Sequence, residues 1–159
     1  MTDLQASPEP GTTAEGFADG VVTGIVGYRL RRAQVQVFQQ FNARFAAFDL
    51  RPADYSALAL IAANPGSKQI QIARVLGIKR ANFVALINLL EARGLVERRQ
   101  PANDRRSHAL FLTEEGTQLM ARLDKAQADV EAHCVARLGG PEARDQLMAL
   151  LARLIDDEA

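Results

Sequence analysis

Residues 98–116 limit what this chain can fold into more than any other stretch. A short apolar run, Gly94, Leu95 and Val96, leads into it, and an alternating run, Ala109, Leu110, Phe111 and Leu112, leads out. Between them lies a tip of Pro101, Asn103 and Asp104 that carries Arg105 and Arg106. Two short strands around such turn residues read as a β-hairpin. Arginines at a hairpin tip suit insertion into a narrow, electronegative minor groove of duplex DNA.

The net charge of zero taken alone argues against a polyanionic partner, but its distribution reverses that. Residues 68–108 hold nine basic side chains against three acidic ones, a balance of +6, whereas residues 109–159 carry −5 and residues 1–67 carry −1. One basic segment between acidic or neutral flanks is an electrostatic footprint for a polyanion.

Hydrophobic periodicity makes the rest helical. Val22, Val26, Leu30, Ala33, Val37, Phe41, Phe45 and Phe48 recur at steps of three or four, which predicts one amphipathic helix of roughly seven turns over residues 21–48. Pro52 opens a second helix, which stops at Asn64, Pro65 and Gly66. Ser67 is placed to cap a short third helix over residues 68–76, with Ile70, Ala73 and Leu76 facing inward. Gly77 turns the chain into a fourth, residues 79–93, with Phe83, Leu86, Ile87 and Leu90 as its buried stripe and Gly94 after its end. Two short helices joined by a tight glycine turn form a helix-turn-helix. Beyond the hairpin, Thr113 caps a long helix, and Gly139, Gly140 and Pro141 separate it from a last one. The terminal helices carry wide apolar faces that need covering, and pairing two copies would cover them. A two-fold dimer would also present two reading heads to a palindromic duplex.

The remaining features narrow the class. No run of 18 or more apolar residues exists, which argues against a membrane span. Residues 1–20 lack a basic start and an apolar centre, so they read as a disordered arm rather than a signal peptide. The single cysteine, Cys134, permits no intramolecular disulfide, fits a reducing cytoplasm, and reads as a small packing residue. His108 and His133 have no metal-spaced partners, and there is no glycine-rich phosphate loop or nucleophile elbow. The expectation is therefore no enzyme, no metal and no cofactor. A helical protein–protein adaptor stays open as another class, but it would not need a basic hairpin.

Within the basic segment, Lys79, Arg80, Asn82 and Asn88 give the fourth helix a polar side that can face a major groove. Asparagine reads adenine through a bidentate edge, and arginine or lysine reads guanine or holds phosphate. The alternative is a solvated surface helix. Lys68, Gln69, Gln71 and Arg74 would lie near the backbone as positioning contacts. At the tip, Asp104 can brace one of Arg105 and Arg106 while the other reaches outward, or with Asn103 it can simply stabilise the turn.

Gly94-Leu95-Val96-Glu97-Arg98-Arg99, Asn103-Asp104-Arg105-Arg106 and Leu112-Thr113-Glu114-Glu115-Gly116 together resemble the MarR family of winged helix-turn-helix regulators. Leu50-Arg51-Pro52-Ala53-Asp54-Tyr55 and Ala73-Arg74-Val75-Leu76-Gly77-Ile78 resemble its second and third helices. The likeness spans residues 22–157 and implies a mainly α fold with a small β-hairpin wing. It divides the single domain of residues 21–159 into dimerisation helices, 21–49 and 114–159, and a winged helix-turn-helix, 51–113. The implied assembly is a homodimer with each wing in a minor groove, and the implied DNA contacts include Arg99 in the wing. The chain departs from the family at Ala81, Ala85 and Leu89, where polar residues are frequent, which shifts weight to Lys79, Arg80 and Asn82. It also lacks the peroxide-sensing branch's cysteine near the start of the first helix, which argues against oxidant sensing.

In this family small aromatic acids bind between the first helix and the DNA-binding lobe. Tyr28, Arg29, Arg31 and Arg32 place a phenol and three cations there, with Tyr28 and Arg32 on one face. Gly27-Tyr28-Arg29-Leu30-Arg31-Arg32-Ala33-Gln34 together with Lys79-Arg80-Ala81-Asn82-Phe83-Val84 resembles regulators of hydroxycinnamate and other aromatic-acid breakdown, some of which respond to acyl-CoA thioesters whose phosphates suit an arginine cluster. The alternative is a solvated face or dimer salt bridges. The resemblance thus implies a repressor of an aromatic-compound catabolic operon, relieved by a small aromatic acid or its CoA thioester. A regulator of efflux or stress genes with another phenolic ligand is the alternative within the family.

Overall fold

A computed structural model describes residues 20–100 and 108–155. The expected N-terminal arm up to residue 19, and Asp104, Arg105 and Arg106 at the wing tip, lie outside the described residues. The chain divides into two compact units, one ending at Gln39 and the other beginning at Gln40.

The first unit holds α1, Gly20–Thr23, and most of α2, Val26–Phe45. The single long helix expected here is therefore interrupted at Gly24 and Ile25. Glycine is the poorest helix former after proline, and this break is closed locally. The Ile25 amide donates to the Val22 carbonyl at 3.0 Å, and Arg29 Nε donates to the Thr23 carbonyl at 2.6 Å. None of the described residues up to Gln39 is buried, and Val26, Leu30, Val35, Val37 and Phe38 are all exposed in the single chain.

The second unit contains the core. The end of α2 brings Phe41 and Phe45 into a stacked pair, ring centroids 3.8 Å apart, and a 3-10 turn, Ala46–Phe48, follows. Helix α3, Pro52–Ala63, starts at a proline whose missing N–H costs nothing in a first turn. Asp54 is buried and closes that start: its Oδ2 accepts the Arg51 amide at 2.9 Å, and its two oxygens take the Arg51 guanidinium at 3.1 Å each. This pairing raises the Arg51 pKa, chiefly through the hydrogen bond to Asp54. Tyr55 packs against Phe41 and Phe45, and burial, then the charge of Asp124, pushes its phenol pKa up.

A strand that the sequence pattern does not predict follows. β1, Ser67–Lys68, pairs antiparallel with β3, Ala109–Leu112, and β3 pairs antiparallel with β2, Val96–Arg99, in the order β1-β3-β2. The hairpin is thus two strands of a three-stranded sheet. Because Ser67 is in that sheet, it does not cap α4, Gln69–Val75. Lys68 takes the cap position, its amide donating to Gln71 Oε1 at 2.8 Å, while Ser67 Oγ donates back to the Asn64 carbonyl. Ile72 and Ala73 face inward and Ile70 faces out, a correction to the expected stripe. At 100° per residue, Ile70 and Ile72 lie on opposite sides of the helix.

Helix α5, Arg80–Ala92, buries Phe83, Leu86, Ile87 and Leu90 as its periodicity requires. Helix α6, Glu114–Leu138, brings Met120, Leu123 and Val130 to the same core, with Cys134 half-buried against it. Helix α7, Pro141–Ile155, buries none of its residues and exposes Met148, Leu150, Leu154 and Ile155.

Candidate nucleic-acid interface

Between α4 and α5 the chain turns at Gly77, whose φ of 62° is readily available only to a residue without Cβ, and the Ile78 amide closes the turn on the Ala73 carbonyl at 2.9 Å. This turn leaves α5 with its apolar stripe on the core and its opposite side outward. Arg80, Val84 and Asn88, spaced four apart, line one wall of a groove of about 580 Å³. Lys68, Gln69 and Ile70 form the wall at the start of α4, Arg98 comes from β2, and His108 immediately precedes β3.

The wing is tied to α5 by side chains. Arg98 on β2 binds the Glu91 carboxylate through Nη1, and its Nη2 donates to Asn88 Oδ1 at 2.6 Å. Arg98 is mostly buried, with 17% of its side chain exposed. Arg99 points to the other side of the pleat, where it pairs with Glu97 and lays its guanidinium carbon 4.4 Å from the centre of the Phe111 ring. A backbone knot holds the base of the wing. Thr113 Oγ1 donates to the Gly94 carbonyl at 2.6 Å and accepts the Gly116 amide at 2.9 Å, while the Thr113 amide donates to the Leu95 carbonyl at 3.1 Å. Arg93, one of the cations of the basic segment, donates to the carbonyls of Asp49 and Phe48 at 2.7 and 2.9 Å and so braces the end of α5.

Of the residues singled out from sequence, the groove gathers Lys68, Gln69, Arg80 and Asn88. Lys79, at the cap position of α5, and Asn82 are exposed but do not line it, and Gln71 is engaged as the cap of α4. Tyr28, Arg29, Arg31 and Arg32 lie on α2 in the first unit. There Arg32 Nη1 donates to Tyr28 Oη at 3.3 Å, Arg29 holds the Thr23 carbonyl, and Arg31 is exposed. Sequence reasoning missed Ile70, Val84, Arg98 and His108 as groove residues. Counting four on from Arg80 would have found Val84. His108 needed the pairing of Lys68 with Ala109, which a two-residue strand does not announce.

A helix-turn-helix flanked by a three-stranded sheet with an arginine-rich hairpin defines a winged helix-turn-helix protein. Residues 48–107 match the profile of the MarR family. The chain is also 35% identical over 155 residues to a Thauera aromatica protein named as the putative transcriptional regulatory protein for the hcr operon, covering 97% of this chain and 92% of that one. The chain belongs to the MarR family of transcriptional regulators. It is similar to the transcriptional repressor CouR solved on a 23-mer DNA duplex, at 42% identity and a TM-score of 0.80, covering 86% of this chain and 96% of that one. The same repressor solved with p-coumaroyl-CoA is 39% identical, with a TM-score of 0.80 and coverage of 87% and 97%. These relatives are transcriptional regulators rather than enzymes. Among the described residues no helix is long and apolar enough to cross a membrane.

Proposed function

We propose that the protein is a homodimeric, cytoplasmic repressor that grips a palindromic operator through the α4–α5 groove and the wing. It releases the operator when a small aromatic acid or its CoA thioester binds. The observation that carries this reading is the groove itself, where Arg80, Val84 and Asn88 on one helix face stand opposite Lys68 and Gln69, with Arg98 and His108 alongside. Its cations suit a duplex backbone and its α5 wall suits a major groove. Lys79 and Asn82 add exposed polar side chains near the start of α5, and Arg99, Asp104, Arg105 and Arg106 follow Arg98 in sequence as further candidate contacts of the wing. The apolar residues left exposed on α2 and α7 support a second copy as their cover.

For the effector, the Tyr28–Arg32 hydrogen bond keeps a phenol and a cation together on α2, with Arg31 a turn away. Likeness to a repressor solved with p-coumaroyl-CoA supports a thioester whose phosphates an arginine cluster would hold. Fluorescence anisotropy on a duplex from upstream of the gene tests both parts. Tight binding that p-coumaroyl-CoA reverses, and CoA alone does not, is the expected result. Failure to bind any upstream duplex would remove the repressor reading, and binding indifferent to aromatic acids and their thioesters would remove the effector.

A further inference from the structure

We propose that Val84 reads a thymine in each half-site by its 5-methyl group. This inference rests on the groove being the DNA-reading face, and it names one of the bases read there. The core takes Phe83, Leu86, Ile87 and Leu90 from α5, and Val84 is not among them. Val84 is 36% exposed and lines the groove one turn from Arg80 and one turn from Asn88. Its neighbours Ala81 and Ala85 are exposed too and, ending at Cβ, reach less far from the helix than its methyls. Burial in the core therefore does not account for an aliphatic side chain here. Helix propensity does not either, because a β-branched residue is a poorer helix former than alanine.

The major-groove edge of a base pair presents hydrogen-bond donors and acceptors, and its apolar feature is the 5-methyl of thymine. Against that methyl, the valine and the base remove apolar surface from water together. Against an amino or carbonyl edge, valine would strip water from a polar group and return no hydrogen bond, which is costly. Ile70 is exposed in the same groove, but it stands on the other helix. In a helix-turn-helix the second helix lies in the major groove, with its N-terminal residues at the base edges, while the first crosses the backbone. Val84, in the second turn of α5, is thus carried to the bases, and Ile70, in the first turn of α4, to the sugar-phosphate chain.

Uracil is thymine without the methyl and keeps the same hydrogen-bonding edge, so it isolates this contact. Enrichment from a random pool supplies the operator duplex, and each of its thymines is then replaced by uracil in turn. Affinities are measured for wild type, Val84→Ala and Ile70→Ala. For wild type, one thymine in each half-site should matter, its replacement weakening binding about fourfold, the effect of one buried methyl-sized group. In Val84→Ala, an exposed position that should fold as wild type does, the same replacement should be nearly neutral. Ile70→Ala should keep the wild-type ratio. Equal costs of uracil in wild type and Val84→Ala would overturn the proposal, because the loss would then come from the duplex rather than from this contact. A uracil effect kept in Val84→Ala and abolished in Ile70→Ala would overturn it too, as would a wild type indifferent to uracil at every position. A wild type that enriches no duplex would instead remove the DNA reading on which the inference rests.

Discussion

Gly116 has no room for a side chain. A Cβ built on it would overlap the Leu95 carbonyl oxygen, backbone that is itself held by the Thr113 amide. The Leu-Thr-Glu-Glu-Gly run is thus a statement of packing: the threonine caps α6 and ties to Gly94, and the glycine lets α6 approach the strand leading into the wing. Gly116→Ala should destabilise the fold by about 1–3 kcal/mol, the usual range for overpacking, read as a lowered urea midpoint with an unchanged slope. Tyr55 offers a test by pH. Its folded pKa is raised above the ordinary 10.0, first by burial and then by Asp124, so the neutral phenol is the form the fold favours. Stability from this source is complete below the ordinary value and fades as pH climbs through the higher folded one. Tyr55→Phe should remove that part of the alkaline loss, and the phenolate absorbance that disappears with this substitution should be a component that forms above pH 10.0 in wild type.

At the scale of elements, what could be read from sequence depended on whether an element carries its own pattern. The stripe of Phe83, Leu86, Ile87 and Leu90 declared α5, and the cap of α6 was written in Thr113, because both signals are local. β1 has two residues and no alternation to show, and it exists only because β3 lies beside it. Its presence moved the start of α4, changed the cap from Ser67 to Lys68 and brought His108 to the groove. The break at Gly24 was hidden because the apolar repeat runs straight through it, and the periodicity is blind to a cap supplied by Arg29. The Arg98 clasp joins residues seven and ten positions apart on different elements, which no single-element pattern encodes. The wing carries its own prediction. β2 and β3 end in register at Arg99 and Ala109, and the segment joining them contains Arg105 and Arg106. Replacing both with glutamate should weaken operator binding while the melting temperature holds. The salt slope should shrink by about one for each phosphate that is no longer neutralised.

For the whole molecule, a neutral chain holds a +6 segment whose cations have divided roles: Arg93 and Arg98 brace the fold, whereas Arg80 opens the groove wall of α5. Net charge therefore said little, and even the local sum overstated the cations available to a partner. The apolar faces of α2 and α7, uncovered in one chain, predict a two-fold dimer at micromolar concentration, in which every interaction with DNA occurs twice. That doubling makes one measurement decisive: the dependence of operator affinity on salt for wild type and Arg80→Gln. In a dimer gripping DNA through this groove, the substitution removes two cation–phosphate pairs, so the slope of log K against log salt should fall in magnitude by about two. An unchanged slope would contradict the groove as the DNA-binding face.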